Sequence, residues 1–381
     1  MPDKEQDSKW MQAAIELAAR GLGRAAPNPM VGCVLVRNGE RVAAGWHNAC
    51  GEAHAEAMAL AEAGENARGT TAYVSLEPCC HHGRTPPCSD ALIKAGVRRV
   101  VVANADPFEK VGGRGLEQLA EAGIEVTTGV LEAEARTLNR AYFKRIETGL
   151  PWVIAKWAMT LDGRIATEQG DSKWISCPSS REIVHRIRGY VDAVVVGIGT
   201  ALADDPMLNH RLEEPPPRIA SRIVIDSRAR LPVDSRLVKS ATRSPVIICC
   251  GPDAARDKMN RLIDSGVEVL QAELEDSNER IMWLLRELGQ RDMTRLLVEG
   301  GGQLLGAFND LRQIDEVHSF IGPRLIGGRA AVAPVKGEGS SLIADGTSFD
   351  IRHVERIEQD VYLWGIVNHR SAGIRNGPTD R

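Results

Sequence analysis

Two short stretches carry side chains whose types and spacing could do chemistry: His54-Ala55-Glu56, and the run "EPCCHHGRTPPC" from Glu77 to Cys88. The second places three cysteines and two histidines within twelve residues. One histidine with two thiolates makes three zinc ligands and leaves a fourth position for water, the catalytic rather than the structural arrangement. Glu56 beside an open position could move protons between water and a leaving amine. In mid-helix, positions i and i+2 point about 200° apart. His54 and Glu56 can therefore share a site only at a helix N-terminus, with His54 reaching along the axis and Glu56 in the first turn. Cys88 precedes the helical stretch "SDALIKAG", where a helix N-terminus favours the thiolate. Adjacent side chains diverge, so Cys80 reads as a bystander to Cys79, although sequence alone could exchange the two. A closed knot using His81 or His82 is the competing metal reading.

The elements that must position these groups alternate between strand and helix, which predicts α/β architecture. "VGCVLVRNGERVAAGWH" reads as a hairpin turning at Asn38-Gly39. "HAEAMALAEAG" and "SDALIKAG" read as helices, and "TAYVSLEP" and "RRVVVANAD" as strands. The chain has 381 residues, too many for one ordinary core, so two domains are expected. Gly149 and Pro151 put the boundary near Thr148–Pro151, giving domains 1–148 and 151–369. Residues 370–381 read as a disordered tail. The formal net charge of −4 argues against a nucleic-acid partner. The polar start and the lack of a window of about 18 apolar residues predict a cytoplasmic protein with no membrane partner. There thiols stay reduced, and pairs such as Cys249-Cys250 in "VIICC" read as buried apolar residues.

The later half repeats strand-to-glycine junctions. Gly300-Gly301-Gly302 lies between a strand and a helix, which bares backbone N–H groups for a phosphate; a tight turn explains it equally well. Ser227, Arg228 and Arg230 follow the strand "SRIVIDS". Hydroxyl and guanidinium groups suit the 2′-phosphate of NADP, with a solvated basic turn as the alternative.

His-x-Glu followed by Pro-Cys…Cys is the zinc-deaminase pattern, except for eight residues instead of two between the cysteines. Taken with "PNPMVGCVLVRNGERVAAGWH", "KWAMTLDGRIA", "GDSKWIS", "GTALADDPML", "VIDSRARLP", "VEGGGQLLGAF" and "PRLIGG", the chain resembles the bifunctional deaminase–reductase of riboflavin biosynthesis, from about residue 9 to about residue 369. The long inter-cysteine loop is typical of that family. The resemblance implies a cytidine-deaminase-like three-layer N-terminal domain and a dihydrofolate-reductase-like C-terminal domain. It implies deamination of 2,5-diamino-6-ribosylamino-4(3H)-pyrimidinone 5′-phosphate, then NADPH-dependent reduction of its ribosyl group; a homo-oligomer is expected. Zinc would sit on His54, Cys79 and Cys88, with Glu56 as proton shuttle. Asn28, His47, Arg84 and Asp106 would hold the pyrimidine or its phosphate. Cofactor contacts would fall at Ala158, Trp174, Thr200, Asp204, Ser227 and a loop of Gly301, Gly302, Gln303, Leu304, Leu305, Gly306 and Ala307. Substrate contacts would fall at Ser172, Arg188, Leu208, Arg211 and Glu299, and Lys156 would protonate or orient the sugar. Two departures stand out: Phe108 where the family has asparagine, and Cys80 where it has serine.

Overall fold

The computed structural model describes residues 4–81 and 86–369, so the tail expected over 370–381 lies outside the described residues. The chain divides into two compact units, Met1–Pro151 with Leu288–Thr294, and Trp152–Glu287 with Arg295–Arg381.

The first unit runs α1 (Lys4–Ala18), β1 (Gly32–Arg37), β2 (Glu40–Trp46), α2 (Ala55–Ala63), β3 (Thr71–Val74), α3 (Cys88–Ala95), β4 (Arg99–Val102), α4 (Arg114–Glu121), β5 (Glu125–Thr128), α5 (Glu132–Leu138) and α6 (Arg140–Thr148). Its sheet has the order β2-β1-β3-β4-β5. β1 is antiparallel to β2 and β3, whereas β3, β4 and β5 are parallel. Asn38-Gly39 makes the expected turn: Arg37 pairs with Glu40, and φ is 55° and 78° at the two turn residues, as a two-residue hairpin of right-handed twist requires.

Strand alternation supplies both core layers. Cys33, Leu35, Val74, Val100 and Val102 face Ala55, Ala59, Leu92 and Leu119 from α2, α3 and α4. Val34, Val36, Tyr73 and Val101 face Met11, Ala14 and Ile15 of α1 and Ala135 of α5. The result is the three-layer α–β–α arrangement. Helices α1 and α2 lie close on the sheet because strand glycines leave room. A Cβ on Gly32 would stand 2.0 Å from the Ala14 carbonyl oxygen, and one on Gly45 would stand 2.3 Å from that of Ala55. The second contact fixes the first turn of α2, where His54 and Glu56 sit.

From Trp152 onward the elements are β6 (Trp152–Thr160), α7 (Pro178–Arg188), β7 (Ala193–Gly197), α8 (Ile198–Asp204), β8 (Ser221–Ile225), α9 (Arg236–Lys239), β9 (Val246–Cys250), α10 (Arg256–Asp264), β10 (Glu268–Gln271), α11 (Ser277–Gln290), β11 (Arg295–Glu299), α12 (Gly302–Asp310), β12 (Glu316–Gly322), β13 (Phe349–Ile357) and β14 (Asp360–Val367). The sheet order is β10-β9-β8-β7-β11-β6-β12-β14-β13. Every pairing from β10 to β12 is parallel, and the hairpin β13–β14 closes one side antiparallel. Covered on both faces, β7, β9 and β11 read as continuous apolar runs and are almost wholly buried, Cys249 and Cys250 included. The order β7-β11-β6 sets the ends of β7 and β11 beside the middle of β6, where Lys156 faces Glu299.

Gly32→Ala forces the backbone of α1 off the sheet. It should destabilise the first unit by roughly 1–3 kcal/mol, the usual range for overpacking, as read by denaturant unfolding of the purified chain.

Candidate active sites

In the first unit, β2 leads toward α2, whose N-cap is His54 in an extended conformation (φ −72°, ψ 162°), with Glu56 in the first turn. This is the placement that the His-x-Glu spacing demands. β3 leads into Glu77-Pro78-Cys79, and Cys88 is the first residue of α3. The Cys88 N–H donates to Cys79 Sγ at 3.4 Å. His54 Nδ1 stands 3.5 Å from Cys79 Sγ and 3.3 Å from Cys88 Sγ, and the three donor atoms lie within 4.8 Å of one another. Zinc–sulfur bonds of about 2.3 Å and zinc–nitrogen bonds of about 2.0–2.1 Å, at tetrahedral angles, separate donors by roughly 3.6 Å. The triangle therefore fits zinc in size and in donor type. Cys80 turns away, its thiol donating to the Lys110 carbonyl at 3.6 Å.

Hydrogen bonding from Cys88, and then from His54, holds the Cys79 thiol down to about 4, so it is a thiolate at neutral pH, the form a metal binds. Glu56 is buried, 3% exposed. Burial, and then the Cys79 charge, raise its carboxyl to about 7; a bound cation would draw it back down. It stands where a proton can be taken up and returned near neutral pH.

His47 Nδ1 donates to the Ala53 carbonyl at 3.2 Å, which leaves Nε2 to accept from Asn28 Nδ2 at 3.1 Å. Burial lowers the His47 pKa, so the ring is neutral. It meets the His54 ring edge-on at 5.3 Å. Asp106 Oδ1 accepts from the Phe108 N–H and the Tyr142 hydroxyl, both at 2.9 Å. Sequence reading missed what holds this segment. Glu77 accepts from the N–H groups of Asp106 (3.1 Å), Gly113 (3.0 Å) and Gly115 (3.0 Å). A carboxylate clamping backbone 29 to 38 residues away leaves no local pattern to find. The Phe108 ring meets His81 at 6.1 Å. Arg84 and His82 lie outside the described residues.

In the second unit, parallel register sets Glu299, at the end of β11, opposite Lys156 of β6. Lys156 Nζ lies 4.0 Å from Glu299 Oε2. Arg188, the last residue of α7, grips the same carboxylate as a fork, Nε to Oε1 at 2.6 Å and Nη2 to Oε2 at 2.8 Å. Arg188 and Glu299, both expected to touch substrate, thus hold each other. Arg188 Nη1 and His185 Nδ1 also donate to the Asn209 carbonyl, at 3.3 and 3.1 Å. Burial lowers the Lys156 ammonium pKa against the pull of Glu299. Burial raises that of Glu299, but the attraction of Arg188 and Lys156 outweighs it, and the net direction is down. Arg211 is exposed, and Arg188 and Arg236 lie close enough to lower its pKa further, after burial. This gathering of guanidinium groups suits a phosphate. Leu208 is buried in the same loop, in a left-handed conformation (φ 52°).

The glycine junction joins β11 to α12, as its sequence suggests, but the stretch from Gly301 to Ala307 is not the expected loop. Gly301 is the N-cap of α12, and residues 302 to 307 form its opening turns. Leu304, Leu305 and Gly306 are buried while Gln303 is exposed, so what the junction offers a ligand is mainly backbone N–H of the first turn. The Gly301 N–H itself donates to Thr200 Oγ1 at 3.1 Å. Ala158 lies on β6, two residues beyond Lys156. Asp204 pairs with Lys173 at 3.5 Å. Trp174 is exposed, with the Arg181 guanidinium 4.4 Å over its ring, and Ser172 is half-buried in the same segment. Ser227 follows β8 and accepts from Arg280 Nη2 at 3.0 Å, a partner that sequence reading did not name. A cavity opens there, lined by Ser227, Arg228, Arg230 and Arg280, with exposed Asp253 and Glu275 also at its edge. This donor-rich lining, with the glycine junction, fits a phosphorylated dinucleotide.

The model of the cytidine and deoxycytidylate deaminase zinc-binding region matches residues 4–104, and that of the RibD C-terminal domain matches residues 151–363. The riboflavin biosynthesis protein RibD of Actinobacillus pleuropneumoniae is 43% identical over 357 residues, 94% of each chain.

The chain belongs to the RibD family.

The RibD of Escherichia coli (strain K12) is 38% identical over 94% of this chain and 98% of its own. Among solved structures, Acinetobacter baumannii RibD (form 1) aligns with a TM-score of 0.86 at 39% identity, over 96% of this chain and 100% of that one. The Thermotoga maritima deaminase/reductase aligns at 0.82 and 35% identity, over 96% and 99%. The expected fold classes hold, and the chain is a bifunctional riboflavin-biosynthesis enzyme with a zinc-binding deaminase domain and an NADPH-dependent reductase domain. Among the described residues no helix is long and apolar enough to cross a membrane.

Two stability predictions follow from the buried fork. Arg188→Met leaves the Glu299 carboxylate buried and short of its partner, and should cost about 3–5 kcal/mol by denaturant unfolding. Glu299 titrates below its ordinary value when folded. Its contribution is therefore present above the ordinary glutamate pKa of about 4.3 and is lost as pH falls through the lower folded value. The stability advantage of the wild type over Glu299→Gln should shrink as pH is taken from 7 to 3.

Proposed function

We propose that the first unit deaminates 2,5-diamino-6-ribosylamino-4(3H)-pyrimidinone 5′-phosphate and that the second reduces the product to 5-amino-6-ribitylamino-uracil 5′-phosphate. The observation that carries this reading is the His54–Cys79–Cys88 donor triangle with buried Glu56 beside it, on the same chain as the Lys156–Glu299–Arg188 cluster. The two activities are assigned to residues 1–148 and 151–369. The chain works as a homo-oligomer in the cytoplasm on a small phosphorylated pyrimidine, without nucleic-acid or membrane partners.

His54, Cys79 and Cys88 hold the zinc. When bound, it supplies activation of water at neutral pH. Glu56 accepts the proton that water loses as its oxygen bonds to C2, and delivers a proton to the departing amino group, which leaves as ammonia. Neutral His47 and the Asn28 carboxamide orient the pyrimidine, with Asp106 and Arg84 as further contacts. Asp106 is held for this by Glu77 and Tyr142.

In the second unit bound NADPH would supply the hydride chemistry for the ribosyl group. Ala158, Trp174, Thr200, Asp204, Ser227 and the opening of α12 from Gly301 to Ala307 hold the cofactor. Lys156 protonates or orients the sugar oxygen, with Glu299 as its immediate counter-ion. Arg211 and Arg188 hold the 5′-phosphate, and Ser172 and Leu208 border it.

Glu56→Gln should abolish ammonia release, by at least about 10²–10⁴-fold as for other general acid–base groups. It should leave NADPH oxidation with the pre-formed deaminated substrate unchanged. Lys156→Met should do the reverse. Loss of both activities in either variant would contradict independent sites.

A further inference from the structure

Arg280 lies on α11 with its side chain folded inward, 7% of the residue remaining exposed. Its Nη1 donates to the carbonyls of Leu274 (2.6 Å) and Glu275 (2.5 Å), and its Nη2 donates to Ser227 Oγ (3.0 Å). All three acceptors are neutral oxygens, so among the described residues this buried cation has hydrogen bonds but no counter-ion within ion-pair distance. Burying a charge without an opposite charge is costly, and an anion arriving from solvent removes that cost.

The surroundings are built to receive one. Ser227, Arg228, Arg230 and Arg280 line one cavity. The side chain of Ser227 uses an acceptor lone pair on Arg280, which leaves its O–H free to donate outward. The second N–H of Arg280 Nη2 is likewise left over. The turn that carries Ser227 is fixed from below. Buried Asp226 accepts from the N–H groups of Arg230 and Leu231, and the Ser227 carbonyl accepts from the Gly251 N–H at 3.1 Å. Gly251 itself packs on Arg280: a Cβ there would stand 3.2 Å from Nη1. Arg228 and Arg230 are exposed at the mouth, and Arg230 is 3.5 Å from Asp226. Asp253 and Glu275 also line the cavity and are exposed. The charge that is both buried and unpaired is Arg280's.

We propose that Arg280 is a specificity-determining residue of the reductase, binding together with Ser227 the 2′-phosphate that distinguishes NADPH from NADH. This rests on reading the second unit as an NADPH-dependent reductase. It adds to the turn after β8 a charge from α11, 53 residues further along the chain. A guanidinium presents parallel N–H groups to phosphate oxygens, and one already held by two carbonyls loses little freedom on binding.

The test is equilibrium titration of the purified full chain with NADPH, NADH and 2′,5′-ADP, comparing wild type, Arg280→Gln and Arg280→Lys. Arg280→Gln should weaken NADPH and 2′,5′-ADP by about 10- to 100-fold, the range for one charge-assisted contact, and should move NADH by no more than about twofold. Retained NADPH affinity, or equal weakening of NADPH and NADH, would overturn the proposal, since equal weakening marks a purely structural role. Should Arg280→Gln fail to fold, Arg280→Lys decides. A lysine cannot serve both carbonyls and Ser227 as a fork, so its preference for NADPH over NADH must fall, and an unchanged preference overturns the assignment. A wild type with no such preference would instead refute the underlying cofactor reading.

Discussion

Neighbouring parallel strands end along the same edge of a sheet, and each must then pass the chain to a crossover. Both sites of this protein depend on that constraint. In the first unit β3 and β4 are parallel neighbours, so the segments leaving them, Glu77–Cys79 and Asn104–Asp106, emerge together and Glu77 can tie one to the other. In the second, β7, β11 and β6 lie side by side, which brings Thr200, Glu299, the Gly301 cap and Lys156 to one region. Helix N-termini collect on the same edge, and with them the unsatisfied N–H groups that suit thiolates and phosphates.

Burial then decides how these groups behave. Glu56 is raised by desolvation, whereas Glu299, equally enclosed, is lowered because Arg188 and Lys156 face it. The same residue type is thereby held ready to take up a proton in one unit and kept ionised beside its partners in the other. Glu77 shows a third use, an anion satisfied by backbone N–H groups alone, where the gain is position rather than reactivity.

What the sequence disclosed follows from how local each signal is. Asn38-Gly39 specified its turn within two residues. The i, i+2 spacing of His54 and Glu56 required a helix N-terminus, and α2 begins at Ala55. The choice of Cys79 over Cys80 was open from spacing and is resolved in space by strand exit and the start of α3. By contrast, the Arg188–Glu299 fork joins residues 111 apart, and Arg280 reaches Ser227 across 53. Neither leaves a periodic trace. The hairpin β13–β14 was also missed, since β13 is exposed along nearly its whole length and lacks a clear apolar alternation. The glycine run is legible as a strand-to-helix junction, whereas the stretch from Gly301 to Ala307, which the resemblance gives as a loop, is the opening of α12, with Leu305 and Gly306 buried.

The central claim is that the first unit holds an open zinc site. Zinc-edge X-ray absorption on the metal-loaded chain tests it most directly. The account predicts two sulfur neighbours at about 2.3 Å, a single imidazole nitrogen at about 2.0–2.1 Å, and one further light atom without imidazole scattering. A second imidazole or a third sulfur in the coordination shell would close the site and contradict it.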